Sequence, residues 1–137
     1  MKKFTTTSLV MLTMLCGAML TPGCSAAQKE SIVRVSNEVF ASKMNQPDVI
    51  LLDVRTPEEF QASRLEGAML INIGDRATFL SKIKELDKAK KILVYCRSGN
   101  RSMTAANLLV ENGFTEIYEL RNGILGWNGP VISGKNK

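Results

Sequence analysis

The chain has 137 residues, enough for one ordinary domain and too few for two. Hydrophobic residues make up 45% and charged residues 23%, a globular balance, and the formal net charge is +5. There is no histidine, which excludes Cys-His catalysis, histidine metal sites and Ser-His-Asp triads together.

Lys2 and Lys3, followed by the short apolar stretch from Leu9 to Leu20, read as an export signal rather than a transmembrane span. Two processing routes are open. Ser25-Ala26-Ala27 offers the small residues that signal peptidase requires and would release a soluble protein from Gln28. Leu20-Thr21-Pro22-Gly23-Cys24 offers a lipoprotein box with Cys24 as the lipidated residue, although its leucine stands four residues before the cysteine instead of three. Residues 1–27 are therefore expected to form a signal and 28–137 the folded domain. The domain is expected in the periplasm, with a lipid on Cys24 as its one possible tie to the membrane. From Gln28 onward, 16 Lys and Arg face 13 Asp and Glu, a net +3. No basic stripe is interleaved with aromatics, so no nucleic-acid partner is expected.

Ile32 to Val35 predicts a first strand, and Ser36 caps a helix from Asn37 to about Met44 with Val39 and Phe40 inward. Val49 to Val54 is a nearly continuous apolar run, the mark of a strand buried on both faces. Thr56-Pro57-Glu58-Glu59 starts a short helix, with threonine at the N-cap, proline at N1, glutamates in the first turn and Phe60 inward. Ala68 to Ile73 predicts another buried strand. Phe79, Ile83 and Leu86 define an amphipathic helix with lysines outside. A strand from Ile92 to Tyr95 leads into Cys96. A helix then runs from about Arg101 to Glu111, with Ala105, Leu108 and Leu109 inward and Asn112-Gly113 as a left-handed cap. Ile117 to Leu120 is the last strand, Gly123 to Trp127 a short turn or helix, and Ser133 to Lys137 a disordered tail. Buried strands joined by helices imply an open α/β sheet with helices on both faces, and such sheets bind ligands beyond the carboxyl ends of their strands.

Cys96 sits at that edge, and so do Asp53, Val54 and Arg55. Of the three cysteines, Cys16 lies in the apolar stretch and Cys24 is removed or acylated, so the domain keeps one thiol with no disulfide partner. A buried, inert cysteine is the alternative, but Arg97 and Ser98 are poor neighbours for an apolar pocket. The loop Cys96-Arg97-Ser98-Gly99-Asn100-Arg101-Ser102 can aim backbone N–H groups at the sulfur, with a helix N-terminus behind it and two guanidiniums nearby. All of these favour the thiolate.

Asp53-Val54-Arg55 with Pro57-Glu58-Glu59-Phe60, Gly67-Ala68 before Asn72-Ile73, the Cys96–Ser102 loop, Asn112-Gly113-Phe114, and Gly123 to Trp127 form an ordered series. In that series the chain resembles single-domain rhodaneses, a sulfurtransferase family, over roughly Ile32 to Ile132. The resemblance implies a three-layer α/β/α fold with a five-stranded parallel sheet, and a Cys96 that carries sulfur as a persulfide. Two departures stand out. The family often has Gly-His-Ile before its Gly-Ala pair, where this chain has Ser63-Arg64-Leu65-Glu66 before Gly67, and Asn122 replaces a common glycine. By this reading Cys96 attacks the sulfane sulfur of a donor such as thiosulfate, and cyanide or a thiol then takes the sulfur. Backbone N–H groups from Arg97 to Ser102, Asn100 included, hold the persulfide, with Gly99 permitting the bend. Arg97 and Arg101 draw the anionic donor, Ser98 and Ser102 orient the sulfur, and Asp53 with Arg55 fixes the neighbouring loop. No cofactor or metal is called for, and a monomer is expected. A persulfide carrier without turnover is the rival reading. A cysteine phosphatase is another, although phosphatases place five residues between cysteine and arginine where this loop has four.

Overall fold

The computed structural model describes residues 31–134. Runs of β-branched and apolar residues form five strands: β1 (Ile32–Val35), β2 (Val49–Asp53), β3 (Met69–Leu70), β4 (Lys91–Tyr95) and β5 (Ile117–Leu120). All pair in parallel, in the order β1-β5-β4-β2-β3. The helices α1 (Asn37–Met44), α2 (Pro57–Ala62), α3 (Arg76–Lys84) and α4 (Asn100–Glu111), with a 3-10 turn at Ile124–Gly126, lie on the two faces. The fold is a three-layer α/β/α sandwich.

Alternation along β4 assigns the layers. Ile92 and Val94 point to a core shared with Phe79 and Ile83 of α3 and Ala105 and Leu109 of α4. Leu93 and Tyr95 point to the opposite core, with Phe40 of α1, Phe60 of α2 and Leu120. Side chains in a strand alternate faces, so Cys96, one residue past β4, continues the Ile92–Val94 row toward α4 and belongs to that core.

Local chemistry sets the element ends. Thr56 closes a reciprocal capping box with Glu59, and Pro57 occupies N1 as the sequence predicts. At the end of α4, Gly113 takes φ +93°, its N–H reaches the Val110 carbonyl, and the Phe114 N–H reaches Leu109. That pair of bonds is a Schellman cap.

Several expectations are corrected. The third strand spans two residues, not Ala68 to Ile73, and Met69 is exposed, because β3 lies at the sheet edge with β2 as its single neighbour. Ile71 and Ile73 still bond the Asp53 and Val54 carbonyls, just past the end of β3. Val39 faces solvent while Phe40 alone fills the inward position of α1, and Ser36 stands at the N-cap without a side-chain capping bond. Leu86 packs on the core from beyond the end of α3. Ser133 and Gly134 belong to an ordered segment. Gly134 N–H bonds Gln61, its carbonyl accepts from Arg64, and Ile132 pairs with Arg64. The expected signal, Cys16, Cys24 and residues 135–137 lie outside the described residues.

Candidate active site

Cys96 is a free thiol, 1% exposed, at the carboxyl end of β4. The chain reverses directly after it. Gly99 takes φ +101°, a left-handed conformation costly to any side chain, and serves as the N-cap of α4. A Cβ there would also stand 2.5 Å from the Arg121 carbonyl oxygen and 2.8 Å from Arg34 Nη2. The bend turns the Gly99 N–H onto Cys96 Sγ at 3.1 Å. From the first turn of α4, Ser102 Oγ approaches the same sulfur at 3.3 Å. The loop is pinned from behind, where the Ile124 N–H bonds the Cys96 carbonyl (2.9 Å) and the Leu125 N–H bonds that of Arg97 (3.0 Å). That approach requires Gly123, since a Cβ would lie 2.6 Å from the Cys96 oxygen.

Burial pushes the Cys96 thiol up. The Ser102 hydroxyl and the backbone N–H groups of Ser102, Gly99 and Ser98 pull it down and prevail, so the thiol is more acidic than an ordinary cysteine. The donors converge because the loop enters α4 directly, and the positive end of the helix adds to them.

The remaining expected residues take distinct places. Ser98 contributes its backbone N–H and leaves its side chain exposed, and Asn100 is exposed as the first residue of α4. Arg97 is exposed on the rim of a shallow depression of about 220 Å³, together with Arg55, Glu59, Ile124 and Leu125. Arg101 already has an anion. Its Nη1 and Nη2 donate to Glu59 at 2.7 and 2.8 Å, so its charge reaches the loop largely balanced. These bonds hold the Glu59 carboxyl down at about 2 and raise the Arg101 guanidinium. Asp53 and Arg55 form the expected loop-fixing pair. Asp53 is fully buried and accepts from Arg55 Nε (2.9 Å), Nη2 (2.6 Å) and backbone N–H (3.0 Å). Burial disfavours the Arg55 charge, but the Asp53 bonds outweigh that and keep its value raised.

Sequence reasoning passed over Glu119, which is fully buried on β5 with Oε1 2.6 Å from Ser102 Oγ and Oε2 2.7 Å from Arg34 Nε. The signal was present. Glu119 interrupts an apolar strand, Ile-Tyr-Glu-Leu, and Arg34 interrupts Ile-Val-Arg-Val, and the two are register partners. Among the described residues, no group of three or more His, Cys, Asp or Glu could hold a metal ion.

Comparison with known proteins agrees with this geometry. The family model described as "Rhodanese-like domain" matches residues 36–130. A tRNA uridine(34) hydroxylase of Cytophaga hutchinsonii is 40% identical over 63% of this chain, but the match spans only 28% of that protein. The thiosulfate sulfurtransferase GlpE of Pseudoalteromonas translucida is 32% identical over 61% of this chain and 77% of its own length. A rhodanese-related protein of Thermoplasma volcanium superposes with a TM-score of 0.63 at 27% identity, covering 72% of this chain and 96% of its own.

Proposed function

The chain belongs to the rhodanese-like family, and from that premise we propose that it is a sulfurtransferase moving the sulfane sulfur of thiosulfate to cyanide or a thiol through a Cys96 persulfide. The Cys96 thiolate attacks the outer sulfur of thiosulfate. The S–S bond of the donor breaks with its electron pair on the departing sulfite, and a new S–S bond forms at Sγ. Cyanide or a thiolate then attacks the terminal sulfur, and the electron pair of that bond returns to Cys96. The observation that carries the reading is the convergence of the Gly99 N–H, 3.1 Å from Sγ, with the Ser98 and Ser102 N–H groups on a lone buried thiol. Such fixed donors stabilise a terminal persulfide anion as an oxyanion hole stabilises oxygen. The four-residue spacing between Cys96 and Arg101 suits one extra sulfur better than a tetrahedral phosphate.

The GlpE likeness supports thiosulfate as the donor. The hydroxylase match covers too little of its relative to lend an activity. We further place the protein outside the cytoplasm, soluble from Gln28 or lipidated on Cys24, on the strength of its N-terminal pattern.

Thiosulfate treatment followed by intact-mass measurement is expected to show one added sulfur, absent in Cys96→Ser, and the same spectrum reports any lipid on Cys24. Steady thiocyanate production from thiosulfate and cyanide is expected from wild type and lost in Cys96→Ser, whose melting temperature stays near wild type. Loading without turnover would overturn the enzyme reading in favour of a carrier, and activity in Cys96→Ser would remove the cysteine from its role.

A further inference from the structure

Ser102 has one hydroxyl proton and two anionic claimants. Its oxygen lies 2.6 Å from Glu119 Oε1 and 3.3 Å from Cys96 Sγ. The shorter contact has the length of a charge-assisted O–H···O⁻ bond, while the contact to sulfur is looser. Glu119 is fully buried and has no solvent to turn to, and its other oxygen is held by Arg34. It also lies directly beneath the catalytic loop, since a Cβ on Gly99 would come within 3.3 Å of Oε1. With its proton on the Glu119 side, Ser102 offers the sulfur a lone pair, which suits S–H and not S⁻.

We propose that Glu119 is a positioning residue that competes with Cys96 for the hydroxyl proton of Ser102, so that the hydroxyl lowers the thiol less than its contact with the sulfur would otherwise allow and the loop amides carry the rest of the stabilisation. The hydroxyl joins them only to the extent that Glu119 releases it. The carboxylate thus keeps the resting cysteine more protonated than its cradle alone would, and so less open to oxidation. The charged groups facing this trio are Arg34 on β1, bonded to Glu119, and Arg101 on α4, which interacts with Cys96 and behind it with Asp53 and Glu59.

The inference deepens the sulfurtransferase reading and rests on Cys96 as its nucleophile. Its test uses no sulfur donor, so it can fail while sulfur transfer stands, and the reverse. The probe is iodoacetamide, with the alkylation rate of Cys96 followed against pH. In Glu119→Gln the hydroxyl proton is freed for the sulfur, and the thiol titration is expected to fall by about one unit, the scale of one hydrogen bond to a charged group. Arg34, with 44% of its side chain exposed, can turn to water in that variant. In a Ser102→Ala background the same substitution is expected to move the titration by less than half as much. An equal fall in both backgrounds would reduce Glu119 to a distant negative charge and overturn the proposal, as would no fall, or a rise, in Glu119→Gln alone. Glu119→Ser, smaller and also neutral, carries the same expectations should the glutamine variant fail to fold.

Discussion

Glu59→Gln isolates what the Arg101 clamp contributes. The Glu59 carboxylate accepts from Arg101 at 2.7 and 2.8 Å and from the Thr56 N–H at 3.1 Å, so one side chain ties the helix that follows the cysteine loop to the start of α2. Its carboxyl is lowered from 4.5 to about 2, chiefly by the Arg101 bonds. A depression of that size corresponds to about 3 kcal/mol. Glu59 keeps 26% and Arg101 37% of its side chain exposed, so solvent screening cuts this to about 1–2 kcal/mol. Because the folded value lies below the unfolded one, the stabilisation is present above pH 4.5 and is lost as pH falls toward about 2. Urea unfolding of wild type and Glu59→Gln at a series of pH values reads it directly. At pH 7 the variant's midpoint is expected to drop by about 1 M. The gap should narrow steadily between pH 4.5 and pH 2 and close below that. A gap unchanged with pH, or one that widens in acid, would refute the electrostatic account and leave only lost packing.

Three further outcomes follow from the same geometry. Arg101→Ala strips Glu59 of its counter-ion beside the loop, so kcat/KM for anionic thiosulfate should fall at least tenfold, about 1.4 kcal/mol. It should fall less for a neutral sulfur donor, and equal losses would contradict charge recognition. Asp53→Asn weakens a buried pair in which Arg55 is 3% exposed, and should cost about 3 kcal/mol in urea unfolding. A loss under 1 kcal/mol would show that the pair is dispensable. Gly99→Ala forces a side chain into φ +101° and against the Arg121 carbonyl, so the thiol should lose its heightened acidity along with about 1–3 kcal/mol of stability. An unchanged alkylation profile would mean that the Gly99 N–H does not set that acidity.

Much of this molecule was legible in one dimension. β1 and β5 begin and end where their apolar runs do, and α2 starts where Thr56-Pro57 places it. Strand and cap signals are local, carried by residues a few positions apart, and so they survive in a linear reading. The edge position of β3 was not visible, because burial there depends on how many strands flank it rather than on the apolar content of residues 68–73.

The candidate site divides the same way. Its cysteine, its loop and the direction of the loop amides come from seven contiguous residues. The backbone conformation that Gly99 permits, followed at once by a helix, leaves the donors few other directions to face. The partners of that loop come from far along the chain. Glu59 stands 42 residues from Arg101, Glu119 17 from Ser102, and Arg34 85 from Glu119. Parallel pairing of β2 with β4 sets Glu59 beside Arg101, pairing of β1 with β5 and β5 with β4 gathers Arg34, Glu119 and Ser102, and full burial decides that Glu119 must find partners instead of water. One stretch of chain thus places the cysteine in its loop of amides, because those contacts are local, and folding alone brings Ser102 and Glu119 together beside it, because their contact spans separate strands and helices.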